Sequence, residues 1–139
     1  MSCGVDRCDI YLGDDDRILW LAIYAKTLAR YDWESLIFCE MTTHFHLLVR
    51  TNKPNLALGM QWLLGTYALA FNQRHGRVGH LVRGRYVSVP VESEAQLSVS
   101  WTYIAYNPVR AGLCERPHDW PWMGVAPGRP LPYWDMPGV

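Results

Sequence analysis

Two histidines separated by one residue, His44-Phe45-His46, are the sharpest chemical feature of the chain. They lie in a run that reads as a strand, where side chains at i and i+2 point to the same face. The two imidazoles therefore project side by side, while Phe45 and Leu47 face the opposite layer. Neutral imidazoles so placed can ligate one metal ion. The same spacing also describes two half-buried histidines satisfied by hydrogen bonds. A second constellation is Tyr103 and Asn107, four residues apart on what reads as one helix face. A phenol and an amide there can serve as nucleophile and third ligand, although Trp101, Tyr103 and Tyr106 also suit a packed aromatic core. The third is a basic, glycine-rich stretch holding Arg74, His75, Arg77, His80, Arg83 and Arg85, with Tyr86 after it. Its glycines let a backbone approach a ligand closely. Arginines beside an aromatic ring suit a single nucleic-acid strand, whose phosphates take charge and whose bases stack. The plainer reading is a basic surface loop.

Periodicity predicts the elements that must hold these groups. Asp14, Asp15 and Asp16 suit the positive end of a helix dipole. Residues 17–31 follow with Ile18, Leu21, Ala22, Ala25 and Leu28 at helical spacing. Residues 35–41 and 44–50 read as a hairpin around Thr42-Thr43. A second helix, with Pro54 in its first turn, runs to about Gln73 on a stripe of Leu56, Met60, Leu63, Leu64, Tyr67 and Phe71, and His75-Gly76 marks its end. Residues 86–91 read as a strand, placed at a sheet edge by Pro90. A third helix begins near Ser93 and reaches at least Tyr106, before the boundary that Asn107-Pro108 implies. From Pro117 onward the chain reads as an irregular tail rich in Pro, Gly and Trp. The order helix, strand, strand, helix, strand, helix makes an α+β domain spanning 1–139, an antiparallel sheet covered by helices. A ferredoxin-like sheet needs one more strand before the first helix.

At 139 residues, half of them hydrophobic, the chain suits one domain with a proper core. It has no run of 18 apolar residues, and its first residues have neither the basic flank nor the apolar stretch of a signal peptide. The expectation is a cytoplasmic protein without a membrane span. Cys3, Cys8, Cys39 and Cys114 form no CxxC pair, which disfavours structural zinc. Net charge is zero, but it is unevenly spread. Residues 1–40 carry four basic and eight acidic side chains. Residues 41–90 carry Arg50, Lys53, Arg74, Arg77, Arg83 and Arg85 and no acid. That middle third is a candidate phosphate-binding surface.

Taken in order, His44-Phe45-His46-Leu47-Leu48-Val49, Met60-Gln61-Trp62-Leu63-Leu64-Gly65-Thr66-Tyr67, Phe71-Asn72, Gly84-Arg85-Tyr86, Val91-Glu92 and Tyr103-Ile104-Ala105-Tyr106-Asn107-Pro108-Val109-Arg110-Ala111-Gly112-Leu113 resemble the single-tyrosine HUH transposases, and most of all the branch called REP-associated tyrosine transposases. The resemblance spans residues 1–122 and implies a ferredoxin-like fold with the histidines on a central strand. It implies Tyr103 as nucleophile, and His44, His46 and Asn107 as ligands of a divalent metal, Mg2+ or Mn2+. It implies cleavage and rejoining of single-stranded DNA near hairpins through a 5′-phosphotyrosine link, often by a homodimer. On the same reading Arg50, Arg74, Arg77, Arg83, Arg85 and Tyr86 contact DNA. The chain departs from the family at its start: Cys3 stands where arginine is usual, and the resemblance leads to the expectation of a truncated first strand. Arg83 replaces a glutamine common before Gly-Arg-Tyr. The competing expectation is a catalytically degenerate relative that binds hairpin DNA without cutting it. A phosphoesterase with two histidine motifs would need a second such element, which His75 and His80 do not make.

Overall fold

The computed structural model describes residues 2–3, 10–76 and 88–125. Its elements in chain order are β1 (Ser2–Cys3), α1 (Asp14–Tyr31), β2 (Trp33–Glu40), β3 (His44–Thr51), α2 (Leu56–His75), α3 (Glu94–Ala105), α4 (Asn107–Arg110), a 3-10 turn at Pro117–Asp119 and β4 (Met123–Val125). The strands form one antiparallel sheet in the order β1-β3-β2-β4. The fold is thus small and α+β. No described helix is long and apolar enough to cross a membrane.

The β2–β3 hairpin is the centre of the sheet, and its alternation decides which side chain meets which layer. Phe45, Leu47 and Val49 join the layer of α1 and α2, where Trp20, Ile23, Tyr24, Met60, Leu63, Leu64, Tyr67 and Phe71 are buried. Leu48 faces the other way, into a cluster with Leu36, Ile37, Cys39, Met41 and, from α3, Trp101, Ile104 and Ala105. A register shift between Ser35 and Ile37 puts both Leu36 and Ile37 on the α3 side. Each large apolar side chain so buried contributes roughly 1.5–3 kcal/mol of transfer free energy.

Helix α2 buries the expected stripe and ends at Gly76, whose φ of 63° is the left-handed conformation of a helix C-cap. Pro54 precedes the helix instead of opening it. Asn55 forms the joint there: its amide donates to the Tyr31 carbonyl (2.8 Å) and its oxygen accepts from the Trp33 indole (2.9 Å).

The expected apolar stripe of α1 is corrected. Ile18 is 56% exposed and Ala22 and Ala25 also face solvent, whereas Asp16, Trp20, Ile23, Tyr24 and Thr27 are buried. Both stripes repeat at helical spacing. The aromatic one wins because Trp20 and Tyr24 stack on one another and fill the space above Phe38 and Phe45.

Two further expectations change. Residues 88–91, expected in a strand, are exposed and carry no strand pairing. Pro90 has no N–H for a ladder, and the Gln96 side chain takes the backbone groups instead, donating to the Pro90 carbonyl (2.8 Å) and accepting from the Glu92 N–H (2.9 Å). The stretch expected as an irregular tail begins with order: β4 pairs with Ile37, Phe38 and Cys39, so the sheet grows on the side of β2 away from β1. The Trp120 indole secures this return by donating to the Glu40 carbonyl (2.9 Å).

Candidate active site

The β3 pleat sets His44 and His46 beside each other on the α3 face, with ring centroids 4.9 Å apart and planes at 87°. His46 is buried and His44 half-buried. The Nδ1 of His44 lies 3.3 Å from the Thr43 hydroxyl, which leaves its Nε2 for another ligand. Burial lowers the His44 pKa. Burial, then the neighbouring His44 ring and the Arg110 cation, pushes His46 down to about 4. Both imidazoles are therefore neutral near pH 7, the form that binds a metal.

Helix α3 brings the other two groups. Ser93 caps its start, accepting from the Gln96 N–H (3.1 Å). Trp101, Ile104 and Ala105 press it against the hairpin and turn Tyr103 outward, 56% exposed. The Tyr103 ring stands edge-on to His46 with centroids 6.3 Å apart. Pro108 interrupts the helix, yet the turn continues: Arg110 N–H donates to the Tyr106 carbonyl (2.9 Å) and Ala111 N–H to that of Asn107 (3.0 Å). Asn107 thereby stays one turn beyond Tyr103, and its amide N–H donates to the His46 Nε2. Tyr106 is half-buried against the α3 core cluster, so Tyr103 is the more accessible phenol.

The donor set fits a divalent cation. His46 links the set: its ring lies 4.9 Å from that of His44, and its Nε2 meets the Asn107 amide. An amide flip would put the Asn107 oxygen, a metal donor, in the place of its nitrogen. Among the described residues no group of three or more His, Cys, Asp or Glu side chains could hold a metal, so the third protein ligand here would be the amide. A groove of about 760 Å³ opens between β3 and residues 88–94, but its lining contains none of these four residues.

The four residues expected to do chemistry thus come together, whereas the expected DNA contacts do not gather round them. Arg50 lies at the other end of β3 and pairs across the hairpin with Glu34 (3.3 Å). Arg74 ends α2 on the opposite layer, held by Asp15 (2.9 Å) and Asp16 (3.2 Å). Arg77, Arg83, Arg85 and Tyr86 lie outside the described residues. His75 bonds the buried Asp16 carboxylate (2.8 Å) and so serves the α1–α2 joint. Sequence reasoning missed Arg110. Its guanidinium lies over the Tyr103 ring, 4.1 Å from the centroid. The signal was its position seven residues after Tyr103, two turns along the same face.

No family model and no solved structure matches the chain. Among curated proteins it is similar to one from Haemophilus influenzae (strain ATCC 51907 / DSM 11121 / KW20 / Rd) described as a "Putative REP-associated tyrosine transposase", with 27% identity over 128 residues, covering 84% of this chain and 72% of that protein. This distant likeness, over most of both chains, supports the resemblance carried by the histidine, tyrosine and asparagine motifs.

Proposed function

We propose that the chain is a DNA strand transferase of the transposase type, which cleaves and rejoins single-stranded DNA near hairpins with Tyr103 as nucleophile. One observation carries this reading: Asn107 and His46, 61 residues apart in sequence, meet beside the exposed Tyr103 ring. The similarity to a protein described as a transposase supports the same class of activity and a DNA partner.

In this reading the Tyr103 hydroxyl attacks a backbone phosphorus. The Oη–P bond forms as the P–O3′ bond breaks, and the phenolic proton passes through solvent to the departing 3′ oxygen. The DNA 5′ end remains esterified to Tyr103 while a 3′-hydroxyl is freed. Attack by another 3′-hydroxyl reverses the exchange, so strands rejoin without an external energy source. His44, His46 and Asn107 would hold the divalent ion, magnesium or manganese, which would polarise the scissile phosphate and stabilise charge in the transition state. The packing of Trp101 and Ile104 holds the helix that carries the Tyr103 ring edge-on to His46.

A covalent-adduct assay tests this. Hairpin DNA with single-stranded flanks, labelled on the 3′ side of the cut, is incubated with the protein and manganese and run on a denaturing gel. Label should travel with wild-type protein and with Tyr106→Phe, and be lost with Tyr103→Phe. Binding without any adduct across hairpins and metals would instead support a non-cutting hairpin-binding protein. Adducts that survive Tyr103→Phe but not Tyr106→Phe would move the nucleophile to Tyr106.

A further inference from the structure

Arg110 is exposed at the end of α4 and makes two contacts with one residue. Its guanidinium covers the Tyr103 ring at 4.1 Å, and its Nη2 donates to the Tyr103 carbonyl (2.5 Å). It lies close enough to His46 for its charge to act on that ring. Among the described residues no carboxylate pairs with it, unlike Arg50 and Arg74. A guanidinium has five N–H donors in a rigid plane. One is used on the carbonyl and the plane's face rests on the phenol, so the outer edge is left to donate beyond the ring.

We propose that Arg110 is a phosphate-binding residue of this site, which grips the scissile phosphate with its outer N–H groups while its face and inner edge fix the Tyr103 ring. This rests on the reading of Tyr103 as the nucleophile. It assigns two jobs to one planar group. The cation–π contact restrains the ring that must attack in line. The N–H groups meet the negative charge that builds on the phosphoryl oxygens. A lysine supplies the charge but neither the flat stacking surface nor the two-pronged donation.

The test compares wild type, Arg110→Gln and Arg110→Lys, each checked for an unchanged fold by circular dichroism, in two measurements on the labelled hairpin. The first is the single-turnover rate of adduct formation. The second, in a Tyr103→Phe background, is hairpin affinity as a function of salt concentration. Arg110→Gln should slow adduct formation on the order of 10²-fold, and reduce the log–log salt slope by about 1. Arg110→Lys should restore the slope but not the rate. An unchanged rate and slope in Arg110→Gln overturns the proposal, as does full recovery of the rate by lysine, which would leave charge alone at work. If wild type forms no adduct, the nuclease reading fails by itself. The salt slope still judges Arg110, whose phosphate contact is refuted if the slope does not move.

Discussion

Glu40 closes β2 with both carboxylate oxygens buried and outside hydrogen-bond geometry. The Tyr11 hydroxyl and the Arg17 guanidinium are near enough to pull its pKa down, but burial dominates and pushes it up to about 8. Such a group favours the folded state in its protonated form. Its favourable contribution is complete below the ordinary carboxylate pKa of about 4.5 and is lost as pH rises through about 8. Glu40→Gln should therefore raise the thermal midpoint at pH 9 while leaving that at pH 4 nearly unchanged, with a gain of at most ~5 kcal/mol. Melting curves at both pH values check it, and equal midpoint shifts at the two would refute the linkage. His46 acts with the opposite sign in an overlapping window. Its pKa, lowered to about 4, means that stability is lost as pH falls below the usual histidine value of 6.5. The thermal midpoint of His46→Gln relative to wild type should therefore rise as pH falls from 6.5 to 4, and a constant difference across that range would refute the linkage.

At the scale of elements, two joints stand out, one on each face of the sheet. Where α2 crosses β2, a Cβ added to Gly59 would lie 2.1 Å from the Trp33 ring, which is itself buried and tied to Asn55. Alanine is the better helix former by about 1 kcal/mol. The clash outweighs that advantage because the indole has nowhere to go. Gly59→Ala should destabilise by roughly 1–3 kcal/mol, measured by urea unfolding, and a stabilising outcome would show that the joint yields. The N-terminus of α3 depends on the Ser93 hydroxyl. Ser93→Ala should cost about 1 kcal/mol, and hydrogen exchange should show the loss concentrated in the first turn of α3.

The whole molecule is a sheet with different work on its two faces. The α1–α2 face holds the larger aromatic core and the Asp15, Asp16, Arg74 and His75 cluster. The α3 face holds the histidines, Tyr103, Asn107 and Arg110. This division separates two arginines that composition treats alike. Arg74 neutralises a nearly inaccessible carboxylate, Asp16, so removing it leaves a buried charge less compensated. Arg74→Gln should lower stability while changing hairpin affinity less than twofold, on the order of 0.4 kcal/mol or below. Arg110→Gln should do the reverse. Filter-binding and melting measurements on the two variants check the contrast.

Some of this was legible before any coordinates. A period of two puts His44 and His46 on one face of any strand, and a period near four puts Tyr103 and Asn107 on one face of any helix, because both follow from backbone geometry alone. Gly76 and Ser93 mark helix ends for equally local reasons. Local geometry could not choose between the two stripes of α1, since aliphatic and aromatic faces repeat alike and only the shape of the sheet beneath selects Trp20 and Tyr24. Nor could it foresee that the Gln96 side chain takes the Pro90 carbonyl and the Glu92 N–H in place of the expected strand. The meeting of His46 with Asn107 belongs to neither element: it exists because Trp101, Ile104 and Ala105 dock α3 on the hairpin at one height and rotation. Residue type and spacing determined which groups were available for chemistry. Packing between distant elements decided that they share one place, because burial is a property of surfaces in contact and not of either surface alone.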